Sequence, residues 1–128
     1  MKYEDYFVLW LNEALSDVRT DIEAFCFNLN YPAGYDNVEF GIELIGASRF
    51  DKTDDDWGCD EIWEPKQRDI IIPVEFSTKD WEVCQAKMKA LIQDFLNSAN
   101  PYPDVLKRGK AVAIGFVDGH LDLIWVKE

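Results

Sequence analysis

The chain is 128 residues long, with 25 acidic side chains against 13 basic ones, a single histidine and a formal net charge of −12. Hydrophobic residues make up 48% and aromatics 14%, which separates it from disordered acidic tails, and its length suits one domain, 1–128. The charge argues against nucleic acid and anionic membranes as direct partners, because both require a basic footprint.

The first apolar run, Phe7-Val8-Leu9-Trp10-Leu11, is broken by Asn12 and Glu13 and preceded by acids, so no targeting signal is expected. No stretch approaches the roughly eighteen apolar residues of a membrane span. Cys26, Cys59 and Cys84 are odd in number and lack Cys-x-x-Cys spacing, the pattern of reduced thiols in a cytoplasmic protein.

Residues 3–29 predict one long helix, since Tyr3, Phe7, Trp10, Ala14, Val18, Ile22, Phe25 and Leu29 recur at steps of three and four. Turn formers from Tyr31 to Asn37 end it. The period then switches to two: Val38, Phe40, Ile42 and Leu44 share one face of a strand, with Glu39, Gly41 and Glu43 on the other. A second strand is expected over 69–76, with Ile70, Ile72, Val74 and Phe76 inward, and Pro73 places it at an edge or a bulge. Ser77 is a candidate cap for the next helix, where Trp81, Cys84, Met88, Leu91, Ile92 and Phe95 follow helical spacing. A short helical turn after Pro103 and a hairpin turning on Asp118-Gly119 complete the chain, with strands over 112–117 and 120–125. The expected fold is α+β: an antiparallel sheet of about four strands with two long helices on one face, in the order α-β-β-α-β-β.

The negative charge is unevenly distributed. Residues 36–64 hold ten acids and two bases, whereas residues 65–128 hold nine of each. Within the first window lies Asp54-Asp55-Asp56-Trp57-Gly58-Cys59-Asp60-Glu61-Ile62-Trp63-Glu64, in a connection long enough to be unusual in a small domain. Two readings stand for it. In one, Asp54, Asp55, Asp56, Asp60, Glu61 and Glu64 meet cationic groups of a partner while Trp57 and Trp63 anchor the contact. In the other, the acids are solvated and the indoles pack down on the sheet. Strand alternation would add Glu39, Glu43, Glu75 and Asp122 as a negative face turned away from the helices, suited to steering a basic protein.

Catalytic chemistry has little support. His120 sits beside the hairpin turn as a solvent-facing residue, and a serine or cysteine nucleophile would need it as base. Cys59 lies among acids, which oppose its ionisation. Asp54, Asp56 and Asp60 could offer oxygen ligands to calcium or magnesium, in a small metal-binding domain or metal-dependent enzyme. The spacing departs from the EF-hand loop, with Gly58 at the fifth position. Neither a cofactor nor an enzymatic activity is expected.

Small, acidic, α+β and without a catalytic constellation, the chain resembles the immunity proteins of bacterial polymorphic and contact-dependent toxin systems. The residues that prompt the comparison are Asp56 to Glu64 and the closing segment Phe116 to Trp125. The resemblance is to the class as a whole and carries over no residue position by position. It implies a cytoplasmic inhibitor that binds a toxin domain, often a basic nuclease, with the acidic patch imitating the phosphates of the toxin's substrate.

Overall fold

The structure is a computed structural model that describes residues 1–117 and 119–128. Among the described residues four α-helices, α1 (Tyr3–Ala14), α2 (Val74–Ser77), α3 (Trp81–Leu96) and α4 (Pro103–Leu106), accompany six strands. The strands are β1 (Ala24–Asn30), β2 (Val38–Ala47), β3 (Glu61–Trp63), β4 (Asp69–Pro73), β5 (Ala111–Phe116) and β6 (Asp122–Val126). They form one mixed sheet in the order β3-β2-β1-β5-β6, with β4 paired to the other half of β2 beside β3.

The expected helix over 3–29 is two elements. The α1 helix stops at Ala14, where Leu15 caps it and the Ser16 hydroxyl donates to the Glu13 carbonyl. The next residues, Asp17-Val18-Arg19-Thr20-Asp21, are mostly weak helix formers, and Arg19 forks onto Asp21 instead of continuing the helix. From Ala24 the pattern is strict alternation, with Phe25, Phe27 and Leu29 on one face and Ala24, Cys26 and Asn28 on the other. This strand becomes the centre of the sheet, antiparallel to β2 and parallel to β5.

Three further expectations are corrected. The strand at 69–76 ends at Pro73, and Val74 to Ser77 make a single helical turn that leaves Glu75 on a helix rather than a sheet face. Asp80, not Ser77, caps α3: its carboxylate accepts from Glu82 N and Val83 N, while buried Ser77 donates to the Thr78 carbonyl. The β5–β6 ladder closes at Ile114↔Asp122, so His120 and Leu121 lie outside the strand; Asp118, half of the expected turn, lies outside the described residues.

Large side chains fill the space between the sheet and the helices. Phe7 and Leu11 of α1 and Met88 and Ile92 of α3 pack on Phe25, Phe27, Leu29, Phe40, Ile42, Leu44, Val112 and Ile114. The opposite face is different: Ala24, Cys26, Ile45, Ala47, Ala111 and Ala113 form a carpet of mostly small residues, covered by the segment between β2 and β3. Among the described residues no helix is long and apolar enough to cross a membrane.

Candidate functional site

The acidic segment is not a loose loop. Trp57 is 1% exposed and sits over the small-residue carpet, with its ring edge-on to Phe50 at 5.3 Å between centroids. The alanines supply the space: a larger side chain at Ala24, Ala111 or Ala113 would compete with the indole for volume. Burying a Trp removes about 150–250 Å² from water, worth roughly 4–6 kcal/mol at about 25 cal/mol per Å² before entropy is subtracted. Trp57 therefore pins the chain, and the expectation that it anchors a partner is corrected: its side chain does not reach the surface.

Around this pin, Asp55 to Cys59 wind one short 3₁₀ turn, capped by the Asp54 carboxylate, which accepts from Asp56 N at 3.0 Å. Asp55 reaches across to the β5–β6 connection, where its carboxylate accepts from Leu121 N at 3.1 Å and lies 3.4 Å from His120 Nδ1. Asp60 pairs with Arg49, whose Nη2 also lies 3.9 Å from Asp54. That company holds the Arg49 guanidinium above its ordinary pKa, chiefly through the hydrogen bond to Asp60. Among the described residues Asp56 is the member of the 54–56 run whose carboxylate accepts no protein hydrogen bond or ion pair.

Beside the 3₁₀ turn, Arg68 binds three carboxylates: Glu61 at 2.5 Å, Glu43 at 3.0 Å, and Glu64. Its pKa is raised well above the ordinary value, first by the hydrogen bond to Glu61 and then by Glu64 and Glu43, against the opposing effect of partial burial. Glu43 also accepts from Asn28 Nδ2, and Cys26 Sγ donates to Asn28 Oδ1. Burial, followed by the charge of Glu43, pushes the Cys26 thiol up to about 12. The stretch 48–64 nevertheless keeps seven carboxylates against two cations, so internal pairing leaves it strongly negative.

The other expected residues are scattered. Glu39 is exposed at the irregularity where β2 meets β4. Asp122 pairs with Lys89 of α3 at 2.9 Å and so faces the helices, which removes it from the acidic face. Trp63 is half-buried, packed edge-on against Phe25 at 6.0 Å within the helix-side core. Asp54, Asp56 and Asp60 do not converge: among the described residues no three histidine, cysteine or carboxylate side chains stand close enough to hold a metal ion. His120 is fully exposed.

A second feature was not expected from the sequence. At the end of β5, Phe116 carries Tyr31 stacked at 5.3 Å, Trp81 edge-on at 5.9 Å and Phe40 at 5.5 Å. Tyr31 is 60% exposed, Trp81 53% and Val117 55%. Trp81 fits the helical spacing of the core residues Cys84 and Met88, but it is the first residue of α3 and overhangs the core. The one sequence signal was the capping Asp80 immediately before it. Beside the acidic turn lies a cleft of about 400 Å³, lined by Asn28, Asp55, Asp56, Cys59, Phe116 and Val117 among others. Compared with protein-family models, curated proteins and solved structures, the chain finds no match.

Proposed function

We propose that this is an acidic protein-binding module that neutralises a basic toxin domain, most simply a nuclease, by forming a tight complex in the cytoplasm. The observation that carries the reading is the fixed display of carboxylates on the 3₁₀ turn. Trp57 holds the turn from beneath, Asp54 caps it and Asp55 ties it to the β5–β6 connection. A partner would meet Asp54, Asp55 and Asp56 in place, without first ordering a loop, which removes part of the entropic cost of association. Seven carboxylates against two cations in residues 48–64 favour encounter with a basic surface and oppose nucleic acid.

The test is the product of the gene immediately upstream, expressed alone and together with this chain. The expected outcome is toxicity alone, relief on co-expression, and a purified complex. Raising salt from about 0.1 M to about 1 M shortens the screening length from about 10 Å to about 3 Å and should weaken that complex clearly. A neighbour that is neither toxic nor bound, or an affinity indifferent to salt, overturns the reading.

A further inference from the structure

A recess of about 190 Å³ opens between the end of α1 and the connection from β3 to β4. Trp10 and Trp63, which both belong to the helix-side core, line it together with Glu13, Asp17 and Glu64, whereas the acidic turn covers the opposite face of the sheet. We infer that this recess is a binding site for an alkylguanidinium group, recognised by the two indoles and by the carboxylates of Glu13 and Asp17. The inference goes beyond the immunity reading and does not depend on it.

The charge at this place is unanswered. Backbone carbonyls leave negative potential at the C-terminal end of a helix, so cations are favoured there and carboxylates are not. The last turn of α1 carries no base; Glu13 lies in it, and Asp17 follows just beyond. Neighbouring cations are engaged elsewhere. Arg19 forks onto Asp21 and donates to the Ile62 carbonyl, and Arg68 holds Glu64 together with Glu61 and Glu43. Lys66 is the one base lining the recess, and it is exposed. Among the described residues no cation pairs with Glu13 or Asp17 and no donor bonds to their carboxylates. A chain breaks a local rule of this kind chiefly where function requires it.

The walls narrow the ligand. A guanidinium is planar and weakly hydrated, so it stacks on an indole face while its N–H fork meets carboxylates; an ammonium has neither the plane nor the fork. Both rings are set before a ligand arrives. The Trp10 Nε1–H donates to the Gln67 carbonyl at 2.8 Å, and Trp63 packs edge-on against Phe25. Little freedom is then lost on binding. Size points the same way, because drug-sized ligands occupy pockets of about 300–1,000 Å³. The recess takes a cationic head and a short chain, and its three acids against one base oppose a phosphate.

The experiment titrates the full isotope-labelled chain with n-butylguanidinium, with neutral n-butylurea of nearly the same shape, and with n-butylammonium. The indole N–H resonances of Trp10 and Trp63 should move with butylguanidinium, which should bind at least about tenfold tighter than either of the other two. A blocked Gly-Arg-Gly tripeptide distinguishes the sources of the group. Binding equal to that of butylguanidinium supports the site as a receptor for an arginine side chain, and much weaker binding supports it as a receptor for a free small molecule. Glu13→Gln combined with Asp17→Asn should weaken butylguanidinium at least about tenfold. Both carboxylates are exposed and stand at the unfavourable end of α1, so this variant should melt at or above the wild-type temperature, which excludes misfolding as the cause. The inference is overturned if neither indole resonance moves, or if butylurea or butylammonium binds as tightly. Binding that survives in the double variant, or shifts confined to residues 54–60, also overturns it.

Discussion

On the helix side the sheet presents Phe25, Phe27, Leu29, Ile42, Leu44 and Ile114; on the loop side the same strands present Ala24, Cys26, Ala47, Ala111 and Ala113. The first face is covered by two helices whose main chains satisfy their own hydrogen bonds and whose apolar stripes interlock with many large side chains. The second is covered by a segment with little regular structure, held chiefly by one indole. Many distributed contacts make a face that opens only when the whole domain unfolds. One large contact over a small-residue carpet makes a face that can open by itself, because few buried apolar contacts must be broken. The carboxylates proposed to meet a partner all ride on the second face, so their arrangement can be lost while the fold survives.

The largest expected effects separate the two faces directly. Phe27→Ala leaves a cavity among the buried aromatics and should cost about 3–5 kcal/mol of global stability in denaturant melts, with a lower midpoint. Trp57→Ala removes an even larger side chain, yet the cost in global unfolding should stay below about 3 kcal/mol, because the segment can detach and forfeit only its own packing. Amide exchange distinguishes them. The Trp57 variant should lose protection over residues 48–60 and keep it in α1 and α3. Uniform loss across the chain would show that both faces open as one unit.

A smaller effect probes the carpet. Ala113 lies in the cluster that receives Trp57 and is fully buried, so Ala113→Leu should overpack it by about 1–3 kcal/mol. If the indole is what the new side chain meets, pairing Ala113→Leu with Trp57→Leu should cost less than the sum of the two single changes. A double-mutant cycle in urea measures that coupling. Strict additivity would mean that Trp57 does not rest on Ala113.

The same contrast explains what could be read from the sequence. The alternation in Val38 to Leu44, the run at Ile70 and Ile72 and the α3 stripe were legible because apolar positions there recur against polar or solvated ones, and the β5–β6 pair because Asp118-Gly119 separates two apolar runs. β1 was misread as helix because it is buried on both faces. Ile22, Phe25 and Leu29 fit steps of three and four, and only Phe27, which breaks that spacing, reveals the period of two. The acidic turn was legible as composition but not as geometry, since the role of Trp57 depends on alanines contributed by β1, β2 and β5 from distant parts of the chain. Glu75 was assigned by extending strand alternation past Pro73, where β4 ends; Asp122 lies within β6, but at the position paired with Ile114, on the helix side, in a ladder whose register shifts between Val112 and Ala113. Tyr31 and Trp81 carry no local mark of exposure: each stands at an element's end, Tyr31 just after β1 and Trp81 at the start of α3, and packs on Phe116 from a distant part of the chain.

The smallest effect is read at the cysteines, because each face contains its own buried thiol. Cys26 lies under the acidic turn, Cys84 lies in the helix-side core, and Cys59 is exposed. A thiol reagent should modify Cys59 at once. Cys26 should follow through local opening of the turn, and Cys84 last, at the rate of global unfolding, so that Trp57→Ala accelerates Cys26 but not Cys84. Burial raises both hidden thiols from 9.0 to about 12. Their protonated forms therefore contribute stability that is complete below about pH 9 and is lost as pH rises toward 12, where the unfolded chain has already released its protons. The alkaline decline should be read by melts of Cys26→Ala and Cys84→Ala, each of which should flatten it by its own share. Mass spectrometry of timed labelling then gives the order of modification. Equal rates for Cys26 and Cys84, unchanged by Trp57→Ala, would mean that the turn does not open separately and that the carboxylate display is as durable as the core beneath the helices.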